Sequence, residues 1–214
     1  MDGGRQQCTN KWYTFSGTSH SIAPALLWWA TVFSLAPGRY VLSSYGLDIT
    51  PPPVLPSSTL EDAIDQLPPS THWAVRRFDS TDNGAHVARA IRAGTAIALS
   101  DGSFKDQFGT SAIIIEAKDS AHNIITVNVV LGNPEDQGSF QSKLAGLFGQ
   151  VILVNIIGAI HHISQGAIEC GCDGKVALEK MFHPDEEADT NGQHFDLLSV
   201  TRAALQASPI TWTF

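Results

Sequence analysis

TAIALSDGSFKDQFGTSAIIIEAKDSAHNIITVNVVLG, residues 95–132, decides how the rest of this chain is read. Its first segment, TAIALSDGSF, alternates apolar and polar residues in period two and is read as a strand ending in Asp101-Gly102 and running into a turn there. FGTSAIIIEA (108–117) is a second strand, with Lys118-Asp119-Ser120 as its turn, and NIITVNVVLG (123–132) a third. Three strands joined by short turns predict an antiparallel meander.

The residues that follow change period. Phe140, Leu144, Leu147, Val151 and Val154 recur at helical spacing between about 139 and 164, with Ser139 or Asp136 placed to cap the start. The later part, VILVNII, is rich in β-branched residues and would pass for a strand, but the length of the run favours one helix. AIECGCD (167–173) reads as a fourth strand and VALEKMF as a short helix. HFDLLSVTRAALQA (194–207) reads as a further helix, and ITWTF as a fifth strand. The order β-β-β-α-β-α-α-β predicts an α/β fold. It is a mixed five-stranded sheet, an antiparallel meander extended by parallel strands, with helices on its faces.

Upstream, residues 1–93 have a different texture, and the expected division is a loosely structured N-terminal arm over 1–93 and a domain over 94–214. Proline at 51–53, 56, 68 and 69 removes donors and fixes φ, so long elements cannot cross these points. Short helices are expected over 58–67, capped by Ser58, and over 85–93, stopped by Gly94. The apolar run IAPALLWWATVFSLA (22–36) is 15 residues long with Pro24 near its start. It falls short of the roughly 20 that a spanning helix needs, so a buried or interfacial segment is expected and no membrane partner. The polar start, Met1-Asp2-Gly3-Gly4-Arg5, carries no expected leader.

Composition bounds the function. With 13 Lys and Arg against 21 Asp and Glu, the chain lacks the basic excess of a protein whose main work is gripping phosphates. Acidic balance suits a metal-dependent nuclease, and equally many other soluble proteins. The three cysteines, Cys8, Cys170 and Cys172, suggest a reducing compartment.

Chemistry concentrates on two carboxylates. Asp101 is expected to end the first strand and Asp173 the fourth. If those strands are parallel neighbours, the two converge where α/β sheets bind ligands, and paired carboxylates are the hard oxygen donors Mg²⁺ prefers. Against this, Asp-Gly is a common turn dipeptide and Asp173-Gly174 could simply start a helix. A sheet order separating the two strands would remove the argument. Cys170, Cys172, His183 and His194 make a poor zinc set, because C-x-C on a strand is an unusual spacing and the histidines lie far off in sequence. His161-His162 suit the negative end of the long helix, and the acidic run 185–189 reads as a solvated loop. Arg76, Arg77, Arg89 and Arg92 form the most basic stretch, a thin signal for nucleic acid.

Three strings together carry a resemblance. SDGSFKDQFGTSAIII resembles the first two strands of the ribonuclease H family, DQGSFQSKLAGLFG the start of its long helix, and CDGKVAL its fourth strand. The likeness covers about 95–214 and is to the domains of this family found in retroelement polyproteins, where a connector follows reverse transcriptase. It implies an endonuclease that cuts RNA in an RNA/DNA hybrid with four carboxylates and two Mg²⁺ ions. Asp101 matches the first carboxylate and Asp173 the third, and the resemblance implies nucleic-acid contacts at Gly102, Ser103 and Ser139. The helix glutamate aligns with Lys143, and the fourth carboxylate is expected beyond Phe214. Lys143 could point to solvent, or pair with Asp101 and Asp173 in the place of a metal. The expectation is a degenerate copy, intracellular in cytoplasm or nucleus, with hydrolysis lost or weak and self-association through an exposed last strand. The alternatives are a non-catalytic nucleic-acid-binding module and an unrelated α/β interaction protein.

Overall fold

The computed structural model describes residues 6–7, 12–16, 31–36, 39–43, 59–118, 122–131, 137–182 and 195–214. The chain forms two compact units, Met1–Asp48 and Ile49–Phe214. In the first, strands β1 (Gln6–Gln7), β2 (Trp12–Ser16), β3 (Thr31–Ala36) and β4 (Arg39–Ser43) make an antiparallel sheet in the order β1-β2-β4-β3. Of the apolar run 22–36, the part described is thus β3, a strand.

The second unit begins before residue 93. Helices α1 (Leu60–Asp65) and α2 (Pro69–His72), strand β5 (Phe78–Ser80) and helix α3 (Ala85–Ala93) all belong to it. The physical reason is burial: Leu60, Ile64, Trp73, Val75, Val87 and Ile91 are core residues, which a loose arm would leave in water. Thr59, rather than Ser58, caps α1; its hydroxyl accepts from the Asp62 N–H at 3.1 Å and Asp62 returns a bond to the Thr59 N–H, a capping box. α3 is stopped by Gly94 in the left-handed region, as expected.

The main sheet comprises β6 (Ala96–Lys105), β7 (Phe108–Ala117), β8 (Asn123–Val129), β9 (Ala167–Cys172) and β10 (Thr211–Thr213), with β5 as a sixth strand. Its order is β10-β9-β6-β7-β8-β5. β6, β7 and β8 form the antiparallel meander, and β9 and β10 extend it in parallel on the other side of β6. The fold is therefore mixed α/β, of the class read from the sequence, with one strand more. Asp101-Gly102 is not the turn. β6 continues through it to Lys105, pairing Asp101 with Ala112 and Gly102 with Ser111, and the chain reverses at Asp106-Gln107. Both turn residues take positive φ, 52° and 67°.

Helix α4 (Ser139–Ile160) returns from β8 to β9 and lies across β6 and β7. Gly138 stands at its cap position with no side-chain cap bond, so Ser139 is the first helical residue rather than the cap. Leu144, Leu147, Val151 and Val154 are fully buried, and burial is continuous from Leu144 to Gly158. α1, α3, α5 (Lys175–Phe182) and α6 (Phe195–Gln206) all contact it. That enclosure explains why VILVNII is helical. β-branched residues cost a helix up to about 0.7 kcal/mol each, whereas burying each contributes roughly 1.5–3 kcal/mol. The helix is also long and apolar enough to cross a membrane, though its sides are taken by the sheet and its helical neighbours. The opposite face of the sheet leaves Leu99, Ile125, Val127 and Val129 exposed.

The turn generates a prediction. A left-handed backbone costs an L-residue roughly 1 kcal/mol or more, and glycine little. Gln107→Gly is expected to raise unfolding stability by about 1 kcal/mol, read as a higher urea midpoint at unchanged slope.

Candidate functional site

Register places the two aspartates. β6 and β9 are parallel neighbours whose last pair is Ser100 opposite Cys172, so Asp173, just past the end of β9, comes beside Asp101, which lies within β6. This is the arrangement the paired-carboxylate argument required, and the order that would have separated the strands is not the one observed.

Lys143 joins them from above. It sits in the first turns of α4, and its side chain is 18% exposed while those of Asp101 and Asp173 are 70% and 63% exposed. Its Nζ donates to Asp173 Oδ1 and lies 3.6 Å from Asp101 Oδ1. Two glycines make the approach possible. Gly102 is buried with the α4 backbone at Ser142 and Lys143 directly over its Cα, and a Cβ there would collide with it. A Cβ at Gly174 would run into the Lys143 side chain. Deeper along α4, a Cβ at Gly146 would meet Ser100 Cβ at 2.9 Å, so the helix and β6 are in contact at backbone distance along this line.

The electrostatics are those of a charge triad near the surface. The hydrogen bond from Lys143 holds the Asp173 carboxyl below the ordinary aspartate range. Reciprocally, the bond to Asp173 holds the Lys143 ammonium above the ordinary lysine range, with partial burial opposing and the charges of Asp173 and Asp101 assisting. Beside them, burial pushes the Cys172 thiol up. Cys170, deeper on β9, is pushed up to about 12 by burial, so it is an inert thiol. Neither cysteine belongs to a metal-donor group among the described residues.

Mg²⁺ does not fit this arrangement. Asp101 and Asp173 supply suitable oxygens, but the ammonium already lies between them. A unit charge about 4 Å from a divalent ion is repelled by several kcal/mol even at an effective dielectric of about 20. As it stands, the triad is an internally neutralised cluster with one net negative charge, and no hydrolytic step follows from it.

Of the other residues singled out, Ser103 and Ser139 are exposed beside the triad, while Gly102 is covered by α4 and serves the close helix crossing. Arg76, Arg77, Arg89 and Arg92 are exposed, and Arg92 donates to the His161 carbonyl. His161 does more than face the helix end, because its Nε2 lies 2.8 Å from the Asn83 carbonyl, joining α4 to the loop before α3. His183, His194 and the acidic run 185–189 lie outside the described residues. The sequence reading missed a second group, Asp82, His86 and His122, whose donor atoms all lie within 4.8 Å of one another. The spacing Asp82-x-x-x-His86 was the available signal; the third member, His122, comes from the residue just before β8.

By sequence the chain matches no protein-family model and no curated protein. Among solved structures, it is similar to the RNase H1 of the halophilic archaeon Halobacterium salinarum, at 14% identity and a TM-score of 0.37, over 55% of this chain and 81% of that one. It is also similar to the N-terminal RNase H domain of a Mycobacterium tuberculosis protein, solved as a fusion with maltose-binding protein. There the identity is 11% and the TM-score 0.36, again over 55% of this chain and 81% of that one.

The triad predicts a pH window. Asp173 titrates lower folded than unfolded, so its contribution is present above the ordinary aspartate value, about 3.9, and is lost as pH falls through the lowered folded value. Lys143 titrates higher folded than unfolded. Its contribution is complete below the ordinary lysine value, about 10.4, and is lost as pH rises through the raised folded value. In a carbon-detected NMR titration, Asp173 is expected to titrate at lower pH in the parent than in Lys143→Met. Coincident curves would mean that the ion pair does not form in solution.

Proposed function

We propose that this chain is a ribonuclease H-like nucleic-acid domain of retroelement origin in which Lys143 stands in for a metal, so that hydrolysis of RNA in an RNA/DNA hybrid is lost. The observation that carries the reading is the triad itself. Asp101 within β6 and Asp173 just past the end of the parallel neighbour β9 stand side by side, as a carboxylate metal site needs, and an ammonium bridges them. The agreement of three sequence strings, in order, with β6–β7, the start of α4 and the end of β9 supports the same reading. The free thiols of Cys170 and Cys172 support an intracellular setting, cytoplasm or nucleus.

The test is a labelled RNA/DNA hybrid incubated with the full chain in Mg²⁺ and in Mn²⁺, with Asp101→Asn alongside. No cleavage is expected from either protein. Cleavage by the parent that Asp101→Asn abolishes would show that another group completes the site and would overturn the proposal. Lys143→Glu supplies the gain-of-function arm. It is expected to take up Mg²⁺ in calorimetry where the parent takes up none, and equal, undetectable binding in both would clear the lysine of blame. Any residual affinity for the hybrid should fall steeply with salt, since only phosphate contacts would hold it.

Self-association through the last strand belongs to the same reading. β10 ends the sheet order and pairs with β9 alone, and Phe214 beyond it is 58% exposed. An open strand edge offers unpaired backbone groups to a second chain. Light scattering is expected to show a mass that rises with concentration; a constant monomer mass would contradict this.

A further inference from the structure

The second donor group lies far from the first. Ser80 pairs with Ile124, Glu116 with Asn123, and Ala117 with Ala96, so Asp82 and His122 meet at the end of the sheet where β6 begins. Five residues of strand separate that end from Asp101, about 17 Å at 3.3 Å per residue.

Its members are brought together by three separate segments: the loop after β5, the first turn of α3 and the start of β8. Asn83 and Gly84 both take positive φ, 57° and 75°, which swings the chain from Asp82 into α3. Gly84 is required there because of its φ and because it is packed against Ile124 and Ile157. The Asp82 carboxylate is then fixed by the Gly84 N–H at 3.1 Å and the His86 N–H at 2.8 Å, and His86 Nδ1 shares a short hydrogen bond with it. The His86 and His122 rings stack at 3.7 Å between centroids and 15° between planes. Thr81 Oγ1 lies 3.3 Å from His122 Nδ1, fixing the orientation of that ring.

The geometry points to a binding site for a divalent transition metal of the zinc class at Asp82, His86 and His122, with solvent completing the coordination. Two imidazoles and one carboxylate are nitrogen-rich donors of the kind zinc, cobalt and nickel select, and Mg²⁺ does not. Metal bonds of about 2.0–2.2 Å place tetrahedral donors roughly 3.3 Å apart, so donors within 4.8 Å need only a modest contraction. The groups are partly open to solvent, with the His86 and Asp82 side chains 35% and 19% exposed. A metal would replace the hydrogen bond between His86 and Asp82. Because it must lie near the plane of each ring it binds, it would also open the parallel stack. The hydrogen bonds to Asp82 and the Thr81 contact to His122 are the outer contacts that orient ligands in such sites.

The full chain, stripped with a chelator, would be titrated with Co²⁺ by visible absorption and with Zn²⁺ by calorimetry, with Mg²⁺ as the comparison ion. One equivalent of Co²⁺ and of Zn²⁺ is expected, none of Mg²⁺, with the cobalt bands absent in His86→Ala and in His122→Ala. Thr81→Val is expected to weaken Zn²⁺ binding about tenfold, and His72→Ala to leave it unchanged. Histidine NMR spectra of the parent provide a readout independent of variant folding, in which Zn²⁺ should move the His86 and His122 ring signals first. No stoichiometric uptake, uptake unchanged in both histidine variants, or first shifts at other histidines would each overturn the proposal.

Discussion

The contact between α4 and β6 governs the rest of this domain. A 22-residue helix buried continuously over its middle and last turns can lie on a sheet at backbone distance only if small residues stand at the crossing. Gly102 on the strand and Gly146 on the helix supply that room. The burial of α4 outweighs the strand preference of its β-branched stretch. Its buried polar groups also tie it to both neighbours, with Gln150 donating to the Gly171 carbonyl on β9 and Asn155 to the Ala204 carbonyl on α6.

The same crossing creates the triad. The first turns of α4 cannot sit over Gly102 without placing position 143 above the middle of β6 and the end of β9. Whatever side chain stands there must answer to two carboxylates. A carboxylate at this position would need a cation to hold three negative charges together, whereas a lysine neutralises part of the charge by itself and needs none. The exposure of both aspartates keeps the energetic effect of these ion pairs on stability small.

Much of the fold could be read directly. FGTSAIIIEA is β7 residue for residue, and the α5, α6 and β10 segments fall within a residue or two of where periodicity placed them. The misses share a cause. Asp101-Gly102 looks like a turn because the dipeptide favours one, yet the pairing of Gly102 through Lys105 with β7 and the demand for a small residue beneath α4 decide otherwise. β5 is three residues long and has no period to detect; only its antiparallel pairing with β8 makes it a strand. The core residues of α1 and α3 lay in the stretch whose prolines suggested a loose arm, and their destinations were the surface of α4 for α1 and mainly the sheet for α3.

Sequence alone determined the order and type of the main elements, because alternation and helical spacing are local properties of the chain. It also determined that Asp173 follows the end of a strand, and that a lysine occupied position 143. Tertiary structure alone decided that Asp101, Asp173 and Lys143 form one ion cluster and that Asp82, His86 and His122 form another group at the far end of the sheet. Strand register and helix crossing set those distances, and both depend on contacts between residues far apart in the chain, which no local pattern encodes.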